Sequence, residues 1–466
     1  MPDTALGHRM TSSDASFLYF ERPTAPLHIG STSLLDGHIS CDELIAHFAS
    51  RIHRIPRYRE LATFDGLNLN HPAWEPDPAF DVARHVEEVV LPAGSGQAEL
   101  LSVIARVYAP MLPRDRPLWK VVLIQGLPEG RSAMTSLVHH CMVDGVSGIE
   151  LLQAVTDLTP DAEPEAGRSF DAPPPLDPFA RTRNAWFDAV ESAVTSSNDA
   201  LRRMLDPQRQ ADEMRVISRA LASAAPAMLQ PAPPTPFNRP VGGGRAYSVL
   251  PTSFAEIRGV RAVLGGTMND VVLSTLAGGL GAYLRATGEA TAGVELRAMI
   301  PVNVRSESNK QALGNQVSMM IAPLLVGVED AADRHRQLSA RMSALKEANQ
   351  AGGFALLARL SESLPAAYQA FAGLWAPQTQ PLFNIVCTNV PGPQVPLYIR
   401  GRKFETLWPL LPVSMGLGLG CALTSYNGVL YWGFTCDPEL VPDIDRVAAF
   451  VSEAFESLKS AAAKAA

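Results

Sequence analysis

The chain has 466 residues, with 39 Lys and Arg against 47 Asp and Glu, giving a formal net charge of −8. Hydrophobic residues make up 47% and charged residues only 18%, which excludes a disordered chain and argues against a nucleic-acid binder, since no basic surplus neutralises phosphates. Five cysteines, an odd and sparse set, argue against a disulfide scaffold and fit a reducing cytoplasm.

The opening segment MPDTALGHRMTSSDASF has no apolar stretch of the signal-peptide kind. Ser40-x-x-Glu43 predicts a capping box, followed by a helix with Leu44, Ile45, Phe48, Ile52 and Ile55 on one face. A second amphipathic helix is expected near Gln97 to Met111. Trp119 to Gly126 and Ser132 to His139 read as strands, with Pro128 to Gly130 turning between them. After Gly145, VSGIELLQAVTDL has a helical pattern.

Two stretches, Pro160 to Pro178 and Pro226 to Gly244, are rich in Pro and read as linkers. Between them Arg181 to Ala224 is helix-like and carries the densest arginines, as a surface helix pair or a lid or membrane-surface contact. A second αβ series follows. Tyr247 to Leu250 is strand-like, Ser253 to Leu264 and Thr267 to Leu284 are helical, and Gly293 to Val304 and Gln316 to Val328 are strand-like. Ala331 to Leu360 is mostly helical, and Ile444 to Leu458 forms a last amphipathic helix.

The shortage of charge is local. Ser363–Ile399 and Thr406–Cys436 contain no Asp, Glu, Lys or Arg. Their prolines and glycines rule out a continuous apolar helix of about 20 residues. They read as short buried strands, either as ordinary core or as a wall facing an apolar ligand. Gly416, Gly418 and Gly420 form GxGxG, which lacks the spacing of a dinucleotide fingerprint.

The strongest chemical signal is His139-His140-Cys141-Met142-Val143-Asp144-Gly145, where a strand ends and a helix is about to begin. Alternation would send the two imidazoles to opposite sides, one to the core and one to a cleft. An imidazole is the natural proton acceptor at neutral pH. A general base, a purely structural histidine pair, a metal site and a Cys141 nucleophile all remain open from these residues. Against metal, adjacent histidines point apart and no further ligand cluster exists. Against the thiol, neighbours on an extended segment rarely meet side chain to side chain.

HHxxxDG resembles the signature of CoA-dependent acyltransferases. Further motifs, in order, make the chain similar to the bacterial wax ester synthase/diacylglycerol acyltransferase (WS/DGAT) family: Ser12 to Glu21 (SSDASFLYFE), Pro117-Leu118-Trp119, Asn269-Asp270, Leu313-Gly314-Asn315, and Asn389-Val390-Pro391-Gly392-Pro393. The likeness spans about Ser12 to Pro442.

That resemblance implies an α/β (α+β) fold of two chloramphenicol-acetyltransferase-like halves. Each half would have a mixed sheet flanked by helices, with an active-site tunnel between them. Residues 1–180 would form the half carrying HHxxxDG, 181–244 a helical and Pro/Gly-rich linker, and 245–466 the half carrying the ND motif. It implies O-acyl transfer from long-chain acyl-CoA to diacylglycerol or a fatty alcohol, with His140 as general base and no acyl-enzyme. His139, Asp144, Gly145 and Asn269 would complete the catalytic set, with Asp144 a structural carboxylate. Pro117, Leu118, Trp119, Asp270, Asn389, Pro391 and Gly392 would shape substrate binding. No cofactor or metal is implied beyond acyl-CoA as substrate. The place implied is the cytoplasm, with peripheral contact at the inner membrane or lipid inclusions. A condensation-type or polyketide-ester acyltransferase and a non-catalytic lipid-binding member are the alternatives.

Overall fold

The computed structural model describes residues 8–66, 68–143, 152–163, 165, 177–204, 207–303, 317–362, 366–375 and 382–466. The first part of the chain runs β1 (His8–Arg9), α1 (Ser12–Phe20), β2 (His28–Leu35), α2 (Cys41–Arg51), β3 (Glu60–Thr63), β4 (Ala73–Pro76), β5 (Val86–Val90), α3 (Gln97–Tyr108), β6 (Trp119–Gln125) and β7 (Ser132–His139). Helical residues 152–155 (α4) follow. The Ser40–Glu43 capping box is formed in full, and the turn over Pro128–Gly130 joins β6 and β7 as an antiparallel pair.

Two long helices come next, α5 (Pro178–Met204) and α6 (Pro207–Leu229). α6 runs through Pro226, into the stretch read as linker. The second part holds β8 (Ala246–Ser253), α7 (Phe254–Leu264), α8 (Met268–Ala286), β9 (Leu296–Asn303), β10 (Val317–Leu324), α9 (Ala331–Glu347) and α10 (Gln350–Glu362). It continues with α11 (Ala366–Trp375), β11 (Ile385–Pro391), β12 (Tyr398–Ile399), β13 (Arg402–Lys403), β14 (Trp408–Leu410), β15 (Leu419–Tyr426), β16 (Val429–Cys436) and α12 (Ile444–Ala465).

Two mixed sheets organise the molecule. One has the order β14-β2-β7-β6-β5 and the other β10-β9-β11-β15-β16-β8. The first is antiparallel apart from β5–β6, and in the second β11 runs parallel to both neighbours. β14 comes from the second part of the chain yet completes the first sheet, with Trp408, Pro409 and Leu410 opposite Thr32, Ser31 and Gly30. Tyr247 on β8 donates its hydroxyl to Pro409 O at 2.9 Å. Arg245 donates to Thr24 O at 2.7 Å. The sheets are therefore tied to each other by backbone groups as well as by packing.

Two expectations for the charge-free stretches change. Residues 366–375, read as strand, form helix α11. The run AAYQAFAGLW is alanine-rich and has no β-branched residue, which favours helix, and Pro365 and Pro377 bracket it rather than interrupt it.

The proposed wall facing an acyl channel does not hold for β15 and β16. Every residue of β15 is buried. Leu419, Cys421 and Leu423, with Leu430, Trp432, Phe434 and Cys436, join the core built on α8 and α12. On the opposite face Tyr426 and Tyr431 enter the core of the first sheet. Gly420 lies against Leu411, and Gly433 against Pro409 O. Strands covered on both faces take near-continuous apolar runs and leave no place for an unpaired charge, which explains its absence here.

A Cβ at Gly433 would collide with the Pro409 carbonyl. Gly433→Ala is therefore expected to cost about 1–3 kcal/mol, the usual range for overpacking. Urea denaturation measures it, and unchanged stability would show that the crossing of β14 over β16 is not tightly packed.

Candidate active site

β7 lies between β2 and β6. Its last residue, His139, is 1% exposed and stands opposite His28 on β2. The His139 N–H donates to Leu118 O at 2.9 Å. There the strand stops. His139 acts as the cap of a single 3₁₀ turn, His140–Met142, with its Nδ1 accepting the Cys141 N–H at 3.2 Å. The two histidines thus diverge because the backbone turns, not by strand alternation as expected.

His140 is only partly buried. Its N–H donates to Leu27 O at 2.9 Å, and its ring stacks on Phe17 at 4.0 Å and 8°. Phe17 belongs to α1, which packs on the turn. α11 in turn backs α1: Ser12 donates to Gln369 at 2.9 Å, and Arg22 donates to Gly373 O.

A buried carboxylate lies beneath. Glu21, just after α1, has a side chain 1% exposed. Its Oε1 accepts the Leu27 N–H at 3.1 Å and lies 3.3 Å from His139 Nε2, while Oε2 meets Arg114 at 2.9 Å. The His139 contact is imperfectly aligned for a hydrogen bond, so its attraction is mainly electrostatic. Burial alone would raise the Glu21 pKa, but His139, Arg114 and the Leu27 N–H outweigh it and hold the group at about 2. Sequence reasoning missed Phe17, Glu21 and Arg114 as site residues. The signal was the similarity of the whole SSDASFLYFE segment, which flagged the region but gave no residue a task.

Pro117, Leu118 and Trp119 are core. The Trp119 indole N–H donates to Tyr58 O at 2.8 Å, and its ring stacks on His85 at 4.2 Å and on Tyr58 at 5.1 Å. The motif reaches the histidines through the Leu118 carbonyl, which accepts the His139 N–H.

Asp270 closes a capping box with Thr267, accepting its N–H at 2.8 Å, and also accepts from Ser339 at 3.3 Å. Asn269, in the first turn of α8, has no side-chain hydrogen bond to a described residue, and neither does exposed Asn389. α8 packs chiefly on α12, α9 and α7. β11 runs through Asn389 and Pro391, so the expected turn begins only at Gly392, where a Cβ would collide with Ser425 O. The structure thus unites His139, His140 and Leu118. Asp144, Gly145 and Leu313-Gly314-Asn315 lie outside the described residues.

Burial pushes the Cys141 thiol well above its ordinary pKa, which keeps it protonated and poorly nucleophilic. Among the described residues no group of three or more His, Cys, Asp or Glu is placed to hold a metal ion. Two surface cavities lie away from the histidine turn: about 410 Å³ between β5 and α3, and about 150 Å³ between α5 and the β3–β4 pair.

The site thus sits in two mixed sheets joined by a crossing strand, with paired histidines where a central strand ends. A solved wax ester synthase/diacylglycerol acyltransferase from Marinobacter aquaeolei VT8 superposes with TM-score 0.68 at 23% identity, covering 98% of this chain and 100% of that one. The first condensation domain of the calcium-dependent antibiotic synthetase gives 0.61 at 17%, covering 99% and 97%. These likenesses show the fold. The wax ester synthase/diacylglycerol acyltransferase catalytic domain matches residues 10–272, and the WS/DGAT C-terminal domain matches residues 313–459. The chain belongs to the WS/DGAT family. Two Mycobacterium tuberculosis proteins named as diacylglycerol O-acyltransferases are 31% identical over 97% of this chain and 99% of theirs, and 30% identical over 97% and 96%.

The buried network makes stability fall in acid. His28 is fully buried, and burial holds its pKa at about 4, below the usual 6.5. His47, His71 and His85 are lowered by burial too. As pH falls below 6.5 the unfolded chain takes up these protons first, and below 4.5 it takes up the Glu21 proton first. The stabilisation is whole at neutral pH and drains from pH 6.5 downward, by about 3 kcal/mol for His28 alone once pH reaches 4. Denaturation between pH 7 and pH 4.5 reads it. His28→Gln, which can still donate to Tyr108 O, should flatten the slope; an identical slope would show that His28 is not held neutral.

Proposed function

We propose that this chain is an O-acyltransferase that moves a long-chain acyl group from acyl-CoA to diacylglycerol, a fatty alcohol, or both, with His140 as general base. The observation that carries the reading is the divergence of the histidine pair: His139 is locked in the core, while His140 stays partly accessible on an aromatic platform. Family membership and the names of the mycobacterial relatives support the substrate class. His140 takes the proton of the acceptor hydroxyl as its oxygen bonds to the thioester carbonyl carbon. The tetrahedral adduct collapses, the carbon–sulfur bond breaks, and the thiolate of CoA leaves with the proton from His140. No acyl-enzyme is needed, in keeping with the buried, protonated Cys141. Asn269, Asp144 and Gly145 are proposed to complete the site, and no cofactor is required beyond acyl-CoA as substrate.

Palmitoyl-CoA supplied with diacylglycerol, hexadecanol or monoacylglycerol in parallel, followed by thin-layer chromatography, identifies the ester formed. No ester with any acceptor would reject the reading. His140→Ala should lower the rate by about 100- to 10,000-fold, the worth of a general base, while Cys141→Ser stays near wild type. A large loss in the serine variant, with an acyl-cysteine trapped in the parent protein, would move the chemistry to the thiol.

We also propose that the protein works against an anionic lipid surface through α5. Phe179, Trp186, Phe187, Val190 and Val194 are all exposed. At 100° per residue they fall within about 100° of one another around the helix. α5 and α6 together carry seven arginines and five acidic residues, a local basic surplus in a chain of net charge −8. No described helix is long and apolar enough to cross a membrane. The protein should co-float with vesicles containing phosphatidylglycerol, and Trp186→Glu/Val190→Glu should weaken this. Wild-type protein remaining unbound would overturn the surface reading without touching the acyl-transfer one.

A further inference from the structure

We propose that Glu21 is a positioning residue whose carboxylate fixes the His139 tautomer and, through His139 and Leu27, the backbone that presents His140. The inference rests on the reading of His140 as the base.

The argument follows the protons. His139 Nδ1 accepts the Cys141 N–H at 3.2 Å, so the His139 proton belongs on Nε2. Nε2 faces Glu21 Oε1 at 3.3 Å. A carboxylate only accepts, so it favours this tautomer over the alternative. In that tautomer the ring caps the 3₁₀ turn that begins at His140. The same Oε1 accepts the Leu27 N–H at 3.1 Å, and the Leu27 carbonyl accepts the His140 N–H at 2.9 Å.

One oxygen thus reaches the His140 backbone by two routes: through the His139 ring to the next peptide N–H, and through Leu27 to His140 itself. Arg114, 2.9 Å from Oε2, supplies the positive charge that makes a buried carboxylate tenable. Its guanidinium also donates to Leu18 O at 3.1 Å, which ties the end of α1 to the same point. α1 carries Phe17, the ring under His140. Glu21 touches no reacting atom. It governs where the His140 ring sits, and misplacement of about 1 Å at a reacting group costs about 100-fold in rate.

Glu21→Gln keeps the shape and removes the charge. A glutamine amide can donate to Nε2, which would push the His139 proton to Nδ1 and break the cap on Cys141 N–H. Steady-state kinetics with palmitoyl-CoA should show kcat falling about 100-fold with KM for acyl-CoA unchanged. Nitrogen-15 NMR of histidine-labelled protein reads the tautomer directly, with His139 assigned by its loss in His139→Gln. Wild type should show Nε2–H and Glu21→Gln should show Nδ1–H.

Folded Glu21→Gln with wild-type kcat overturns the inference. So does Nδ1–H at His139 in the unaltered protein, a measurement that stands even where the variant fails to fold. His140→Ala at wild-type rate is a different failure. It sinks the base assignment, and the NMR signature alone then decides whether Glu21 sets the tautomer.

Discussion

A carboxylate buried as deeply as that of Glu21 can exist only where charge and hydrogen bonds compensate it, and this constraint shapes the surroundings of the histidine turn. Arg114 arrives from the segment before β6, His139 from the end of β7, and the Leu27 N–H from the entry to β2. Three separate stretches of chain must converge on one pair of oxygens. Since removing any partner would strand a buried charge, their relative placement is stiff. His140 inherits that stiffness through its backbone, while its ring remains partly accessible and lies on Phe17. Rigid support beneath and a partly accessible ring above suit the base role proposed for His140.

The second constraint acts at larger scale. β14 leaves its own half of the chain to complete the first sheet, and its Pro409 carbonyl lies against Gly433 of β16 while accepting the Tyr247 hydroxyl. Tyr247, Tyr426 and Tyr431 of the second sheet enter the core of the first. The second sheet therefore feeds both cores, one face to each. An isolated half would expose this seam, so the two sheets are expected to stabilise each other.

Much of this was legible in the sequence because it was written in local signals. The Ser40–Glu43 cap, the β6–β7 turn and the long helices follow from patterns within a few residues of each other. The histidine motif announced its own importance. The crossing of β14 was not legible, because a three-residue strand carries no periodicity and its partner lies more than 370 residues away. Glu21 was not legible as a site residue for the same reason: its partners His139 and Arg114 meet it only in the fold. In Pro117-Leu118-Trp119 the contacts come from the fold: Trp119 fills the core and Leu118 meets His139 through its carbonyl.

The charge-free stretches illustrate how composition can have two causes. In β15 and β16 apolarity follows from burial on both faces, and the absence of charge says nothing about a ligand. In α11 the same lack of charge serves another end. That helix is not a central strand, and it lies against α1, the element that carries Phe17 under His140. Tyr368 and Phe371 are exposed on it. A shortage of charge is therefore informative about a ligand only where the apolar surface is not already explained by burial on both faces, as it is in β15 and β16.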